Sequence, residues 1–270
     1  DKLVYYKDDD DVIDVVSARM NLIIRKAIYN THVIRLAYDN RNFDDTLLAI
    51  NPAFSVGNSS NLQYLTLAYQ FKSDHRDYRA YPLEGYYFDA ELGKHGLGLL
   101  DNGGLDVFYA SATFRKYFRL SGRWFYASGL NARFSNDREQ PFFMNRAIGY
   151  GRDIVRGYEY YVVHGNNFGI FKNNVKFALL PTRTFNIDFI RSEKFSRVHY
   201  AFYLNAFIDM GYADNLRPLQ SAGNELENTL LVGYGLGLDL VTYYDIVVRI
   251  EYAFNRMNEH GLFLHFMAPI

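Results

Sequence analysis

One arginine and two carboxylates in this chain stand where they could form an ion pair away from water. Arg156 lies in Gly149–Glu159, a stretch too rich in glycine and charge for a strand interior, with long alternating patterns on both sides. Asp209 and Glu251 belong to two of the later patterns, on the polar face of each. Gly211 precedes a second glycine row, Gly233, Gly235 and Gly237, which alternates along one face and would let another backbone approach closely. A guanidinium reaching in from a long loop could meet such a carboxylate through two parallel N–H···O bonds. On these residues alone, a solvated Arg156 that pairs with nothing stays an alternative.

Other chemistry finds little support. His32, His75, His95, His164, His199, His260 and His265 are scattered, with no HExxH or comparable ligand spacing, so no metal site is expected. Ser59, Ser60 and Ser73 lack the setting of a nucleophile elbow. Gly233–Gly237 resembles a phosphate loop only superficially, because its glycines alternate along a strand and no helix follows. The acidic run Tyr6–Asp11 has no glycine for the bend of a calcium loop and reads as a solvated turn. With no cysteine there is no disulfide framework or thiol nucleophile. Twenty-nine basic against 30 acidic residues leave no basic stripe for nucleic acid. No catalytic residue and no cofactor is expected.

What must position Arg156 and its partners is a series of long strands. Alternation predicts strands at 13–26, 31–40, 46–55, 62–73, 85–96, 104–118, 122–135, 168–180, 197–213, 229–243, 246–256 and 261–270, about twelve in all, as one domain over 1–270. They exceed the usual five or six residues of soluble sheets and match tilted membrane strands. Even positions of 200–212 are Tyr, Phe, Leu, Ala, Ile, Met and Tyr, while His199, Asn205, Asp209 and Gly211 fall on the other face. Tyr200, Tyr212 and Tyr252 end their apolar faces, as aromatic girdles do at a bilayer boundary. A soluble sandwich also alternates, but a charged and glycine-rich inner face suits a wet lumen better. No apolar run is long enough for a membrane helix, and the start of the sequence, which opens with Asp1-Lys2-Leu3, shows no leader pattern. The expected fold is all-β, a transmembrane antiparallel barrel closed so that no backbone group is unpaired in lipid.

Several motifs in order carry a family resemblance. Val155-Arg156-Gly157-Tyr158 resembles the Val-Arg-Gly-Phe/Tyr tip of the inward-folded sixth extracellular loop of the BamA/TamA outer-membrane assembly proteins. Phe207-Ile208-Asp209-Met210-Gly211 resembles their Phe-x-Asp-x-Gly strand, and Phe177–Thr182 their preceding turn. Asp74-His75-Arg76-Asp77 followed by Pro82-Leu83-Glu84-Gly85 is also similar, and five strands follow the loop. The resemblance covers about residue 30 to the end.

It implies a sixteen-stranded barrel of which about four amino-terminal strands and the POTRA repeats would lie outside this chain. It also implies that Arg156 docks on Asp209 and locks the loop in the lumen. The last strand, with Gly261, Phe263, His265, Pro269 and Ile270, would form a weak seam; Pro269 cannot donate to a ladder, and the chain lacks the family's usual terminal aromatic. The implied function is insertion and folding of outer-membrane proteins in a Gram-negative-type bacterium, without enzymatic activity. Implied partners are the lipid bilayer of the outer membrane, unfolded outer-membrane protein clients and accessory periplasmic or lipoprotein subunits. Two other readings are a barrel that secretes one partner polypeptide and a barrel that anchors an upstream enzyme.

Overall fold

The computed structural model describes residues 12–100, 103–136, 140–186, 197–215, 224–242 and 246–266. The strands are β1 (Ile13–Lys26), β2 (Asn30–Phe43), β3 (Asn61–Asp74), β4 (Gly85–His95), β5 (Val107–Ser121), β6 (Trp124–Ser135), β7 (Arg146–Ile148), β8 (Val163–His164), β9 (Asn167–Asn186), β10 (Arg197–Asp214), β11 (Leu231–Val241), β12 (Val247–Asn255) and β13 (His260–His265). All but β7 and β8 form one antiparallel sheet of eleven strands whose spatial order follows the chain. β7 and β8 pair with each other inside the long connection between β6 and β9. β1 and β13 are the edges of the large sheet.

The alternation places charge and amide groups on the covered face and bulky apolar groups on the open one. On β10–β12, Asp209, Asp239, Arg249 and Glu251 are fully buried, whereas Leu204, Leu236 and Ile250 are 46, 67 and 45% exposed. That inverts the soluble sandwich, in which water would meet the charges. An outer surface of Leu, Ile and Phe bordered by exposed Tyr212, Tyr252 and Trp124 is a surface for lipid. The sheet also curls. β4 and β11 are five strand spacings apart in the sheet, about 24 Å if flat. Yet the hydroxyl of Tyr81, in the β3–β4 connector, donates to Asp239 Oδ2 on β11 at 2.6 Å. Curvature of the wall and an inward fold of the connector together bring them into contact.

One predicted strand is wrong. Residues 46–55 form a short helix, α1 (Asp45–Ile50), and a 3-10 turn over Pro52–Phe54. Asp44 caps α1 by accepting from Thr46 N at 2.7 Å, and Asn51 caps the turn by accepting from Ala53 N. These capping residues set the local structure where the apolar residues Leu47, Leu48 and Ile50 suggested alternation. Leu48 packs with Phe43, Leu62, Leu105 and Phe143, so this segment covers one end of the lumen. The acidic run at Tyr6–Asp11 lies outside the described residues.

Candidate functional site

The loop tip is a tight turn aimed into the lumen. Tyr158 N donates to Val155 O at 3.0 Å, with Arg156 and Gly157 at the corner. Gly157 has φ +89°, which an L side chain adopts only under strain, and a Cβ there would sit 2.8 Å from Phe254 O. Val155 and Tyr158 anchor the turn in an apolar cluster with Ile148, Val163, Ile170, Ala213 and Leu231. Tyr158 Oη also accepts from Arg256 N at 3.3 Å. Asn255 Nδ2 donates to Gly157 O at 2.9 Å.

That anchoring leaves Arg156 1% exposed, lying across the β10–β12 wall. Its Nε donates to Asp209 Oδ2 at 2.7 Å, and a terminal nitrogen donates to Oδ1 at 2.5 Å. Its other terminal nitrogen donates to Glu251 Oε1 at 3.1 Å. The guanidinium lies 3.9 Å over the Phe207 ring. Gly233 lets the backbone pass, because a Cβ there would fall 1.6 Å from Arg156 O. At Gly211 a Cβ would meet Val155 Cγ2 at 2.5 Å.

A second guanidinium continues the row. Arg249 is forked on Asp239, Nε to Oδ1 at 2.5 Å and a terminal nitrogen to Oδ2 at 2.6 Å. Arg249 also stands 3.4 Å from the Glu251 oxygen that Arg156 uses. Asp239 accepts in addition from Asn205 Nδ2 at 2.8 Å and from Tyr81. Lys176 Nζ lies 4.2 Å over the Tyr81 ring. Two buried arginines, Arg156 and Arg249, thus face three buried carboxylates, Asp209, Asp239 and Glu251, and the buried Lys176 beside them has no hydrogen-bond partner for its Nζ among the described residues. Burial on this scale is tolerable only with such compensation. The row runs from the loop tip to the β3–β4 connector, so segments from opposite ends of the barrel meet it.

The architecture has a counterpart among solved structures. The chain is similar to BamA from Haemophilus ducreyi, in a crystal structure lacking POTRA domains 1–3, with a TM-score of 0.62 and 14% sequence identity over 93% of this chain. The fold is that of the BamA barrel. The chain spans about half of the BamA chain it matches, 53%. No family model and no curated protein matches the sequence.

Within this BamA-like barrel the residues singled out from sequence fall into three groups. Val155, Arg156, Gly157, Tyr158, Asp209, Glu251, Gly211 and Gly233 come together at the loop tip. Gly235 and Gly237 do not receive the loop; Cβ atoms there would strike Tyr252 O at 2.2 Å and Asn205 Nδ2 at 2.7 Å, so these glycines serve the packing of the wall. Of the seam strand, Gly261, Phe263 and His265 lie on edge strand β13, and Pro269 and Ile270 are outside the described residues. His265 Nε2 lies 3.4 Å from Glu251 Oε2 and 3.8 Å from Glu159 Oε1, which joins the edge strand to the loop site.

Tyr81, Asn205, Asp239, Arg249 and Lys176 were missed as a set. Hairpin register could have found the central pair, because Asp239 and Arg249 are directly opposed across β11 and β12. Nothing in the pattern marks Tyr81, which belongs to a connector.

Proposed function

We propose that the protein is an outer-membrane assembly barrel that inserts and folds other outer-membrane β-barrel proteins. Unfolded clients would add their edge strands at a weakly paired seam that includes β13, by main-chain pairing that needs no nucleotide. The observation that carries this reading is a long loop folded back into a barrel of the BamA fold, its Arg156 forked on Asp209. In this reading the pair locks the loop in the lumen and stabilises the form able to open at the seam. Arg156, Asp209 and Glu251 are then gating and structural residues. Localisation to a Gram-negative-type outer membrane, with accessory periplasmic or lipoprotein subunits, belongs to the same proposal.

The test uses the full-length gene product in liposomes, given a urea-unfolded barrel client whose folding is followed by its shifted gel mobility. Wild type should speed folding over empty liposomes, and Arg156→Ala should lose most of that gain. Arg156→Lys should recover little, since an ammonium keeps the charge without the fork. Liposomes carrying wild type that fold the client no faster than empty ones would overturn the reading.

A further inference from the structure

The outer face of the barrel carries one charge where none is expected. Lys116 lies on β5 with its side chain on the same face as Phe108, Phe114 and Phe118, which are 44, 45 and 41% exposed. Among outward-facing described residues more than three positions from a strand end, no other is charged. Lys116 has no carboxylate partner among the described residues, and its Nζ lies 5.6 Å from the Tyr86 ring centre and 5.4 Å from that of Phe118.

Its neighbours along the register are polar too. Lys116 is opposite Ser128 on β6, and Ser128 is opposite Asn173 on β9, one row across three strands. Tyr126 Oη donates to Asn173 Oδ1 at 2.6 Å. That bond fixes the amide so that its NH₂ group is left as a donor. Neither this NH₂ nor the Ser128 hydroxyl has an acceptor among the described residues. The row therefore presents an ammonium, a hydroxyl and an amide NH₂ to the surroundings, within about 10 Å at the spacing of neighbouring strands.

Depth places the row near a headgroup layer. From Phe108 to Lys116 a strand tilted by about 40° rises roughly 20 Å, and the apolar band of such barrels is about 25 Å tall. Exposed Trp124, at the start of β6, lies further toward the same end. Donors without acceptors are costly in hydrocarbon, and lipid phosphate is the acceptor found at that depth.

We propose that Lys116, Ser128 and Asn173 form a binding site for the phosphate of a phospholipid in the leaflet at the short-turn end of the barrel, with preference for anionic headgroups. The proposal rests on the lipid-facing outer surface and not on the assembly reading, and its test needs no client. Wild type and Trp124→Phe are placed in phosphatidylcholine vesicles containing a small fraction of acyl-brominated phosphatidylglycerol or acyl-brominated phosphatidylcholine. The quenching that Trp124→Phe removes reports lipid beside this row.

Brominated phosphatidylglycerol should be favoured about fivefold over brominated phosphatidylcholine, the gain expected of one interfacial lysine. Lys116→Gln should bring the ratio to about one, and Lys116→Arg should keep it. Ser128→Ala with Asn173→Leu, which leaves the charge in place, should lower it at least twofold. A wild-type ratio near one, or an unchanged ratio in Lys116→Gln or in the double variant, would overturn the proposal and leave only a lysine reaching toward water. Absence of quenching by either lipid would overturn it too, by removing lipid from this face.

Discussion

The two buried arginine–carboxylate pairs use the same fork but are held by different means. Arg249 and Asp239 are opposed in register on adjacent strands, so the backbone ladder that makes the wall also makes the pair. Arg156 comes to Asp209 from a loop 53 residues earlier and depends on the turn at Gly157, the gap at Gly233 and the apolar anchors Val155 and Tyr158. One pair is part of the wall, and the other joins the wall to a loop. Glu251 touches both arginines through one oxygen, so releasing Arg156 returns that oxygen to Arg249. A buried ion pair is weak evidence for stability in itself. What the contrast teaches is where breakage is costly: stranding a charge that cannot leave is worse than stranding one whose surroundings can open.

The largest expected effect follows directly. Asp239→Ala leaves Arg249 buried and strips acceptors from Tyr81 and Asn205, and should cost about 3–5 kcal/mol. Asp209→Ala should cost distinctly less, because the loop can withdraw and admit water to Arg156. Urea unfolding of the purified variants in detergent, followed by the change in gel mobility, measures both. Equal losses would break the comparison and make the loop as fixed as the wall.

The wall was far more legible in the sequence than the row of charges on it. Period-two alternation marks strands whatever their environment, and polar residues at odd positions of β10–β12 mark the lumen face, so element order and face came from pattern. The segment over 46–55 failed because Leu47, Leu48 and Ile50 satisfy either period over so short a run, and the decisive signals were the caps Asp44 and Asn51. Arg156 and its carboxylates stood out because a glycine-rich loop and a glycine-rich face need each other. The Arg249–Asp239 pair rests on the register of a single hairpin, and Tyr81 on the curvature of a whole sheet. Period carries neither.

A smaller effect sharpens the contrast at the shared carboxylate. Tyr81→Phe removes one hydrogen bond to Asp239 and should cost about 1.5–3 kcal/mol, as expected for a bond to a charged group. Tyr81 and Arg156 do not touch, but they are joined through Asp239, Arg249 and Glu251. Combined with Arg156→Lys, Tyr81→Phe should depart from additivity by more than about 0.5 kcal/mol if the row acts as one network. Additive losses would instead make the pairs independent, with Glu251 a bystander between them.

The smallest effect is a pH dependence confined to the loop side. Glu159 lies in the loop, outside the strands, where burial pushes its carboxyl up to about 7 from the usual 4.5, against the pull of the Gly157 N–H. The charged groups around it are Glu251, which opposes its ionisation, Arg156, which favours it, and His265 on the edge strand. A raised carboxyl means that the docked loop binds the proton more tightly than the free one does. Docking is therefore fully supported below about 4.5 and weakens as pH rises through about 7. Protease cleavage within 149–162 should be slower at pH 5.5 than at pH 8, after correction for the protease's own pH profile. Glu159→Gln should flatten that difference, whereas His265→Gln should preserve its direction. Faster cleavage at pH 5.5 in wild type would reverse the sign and show that Glu159 is held as a carboxylate. The wall, probed by urea unfolding of Glu159→Gln, should show no such slope in this window.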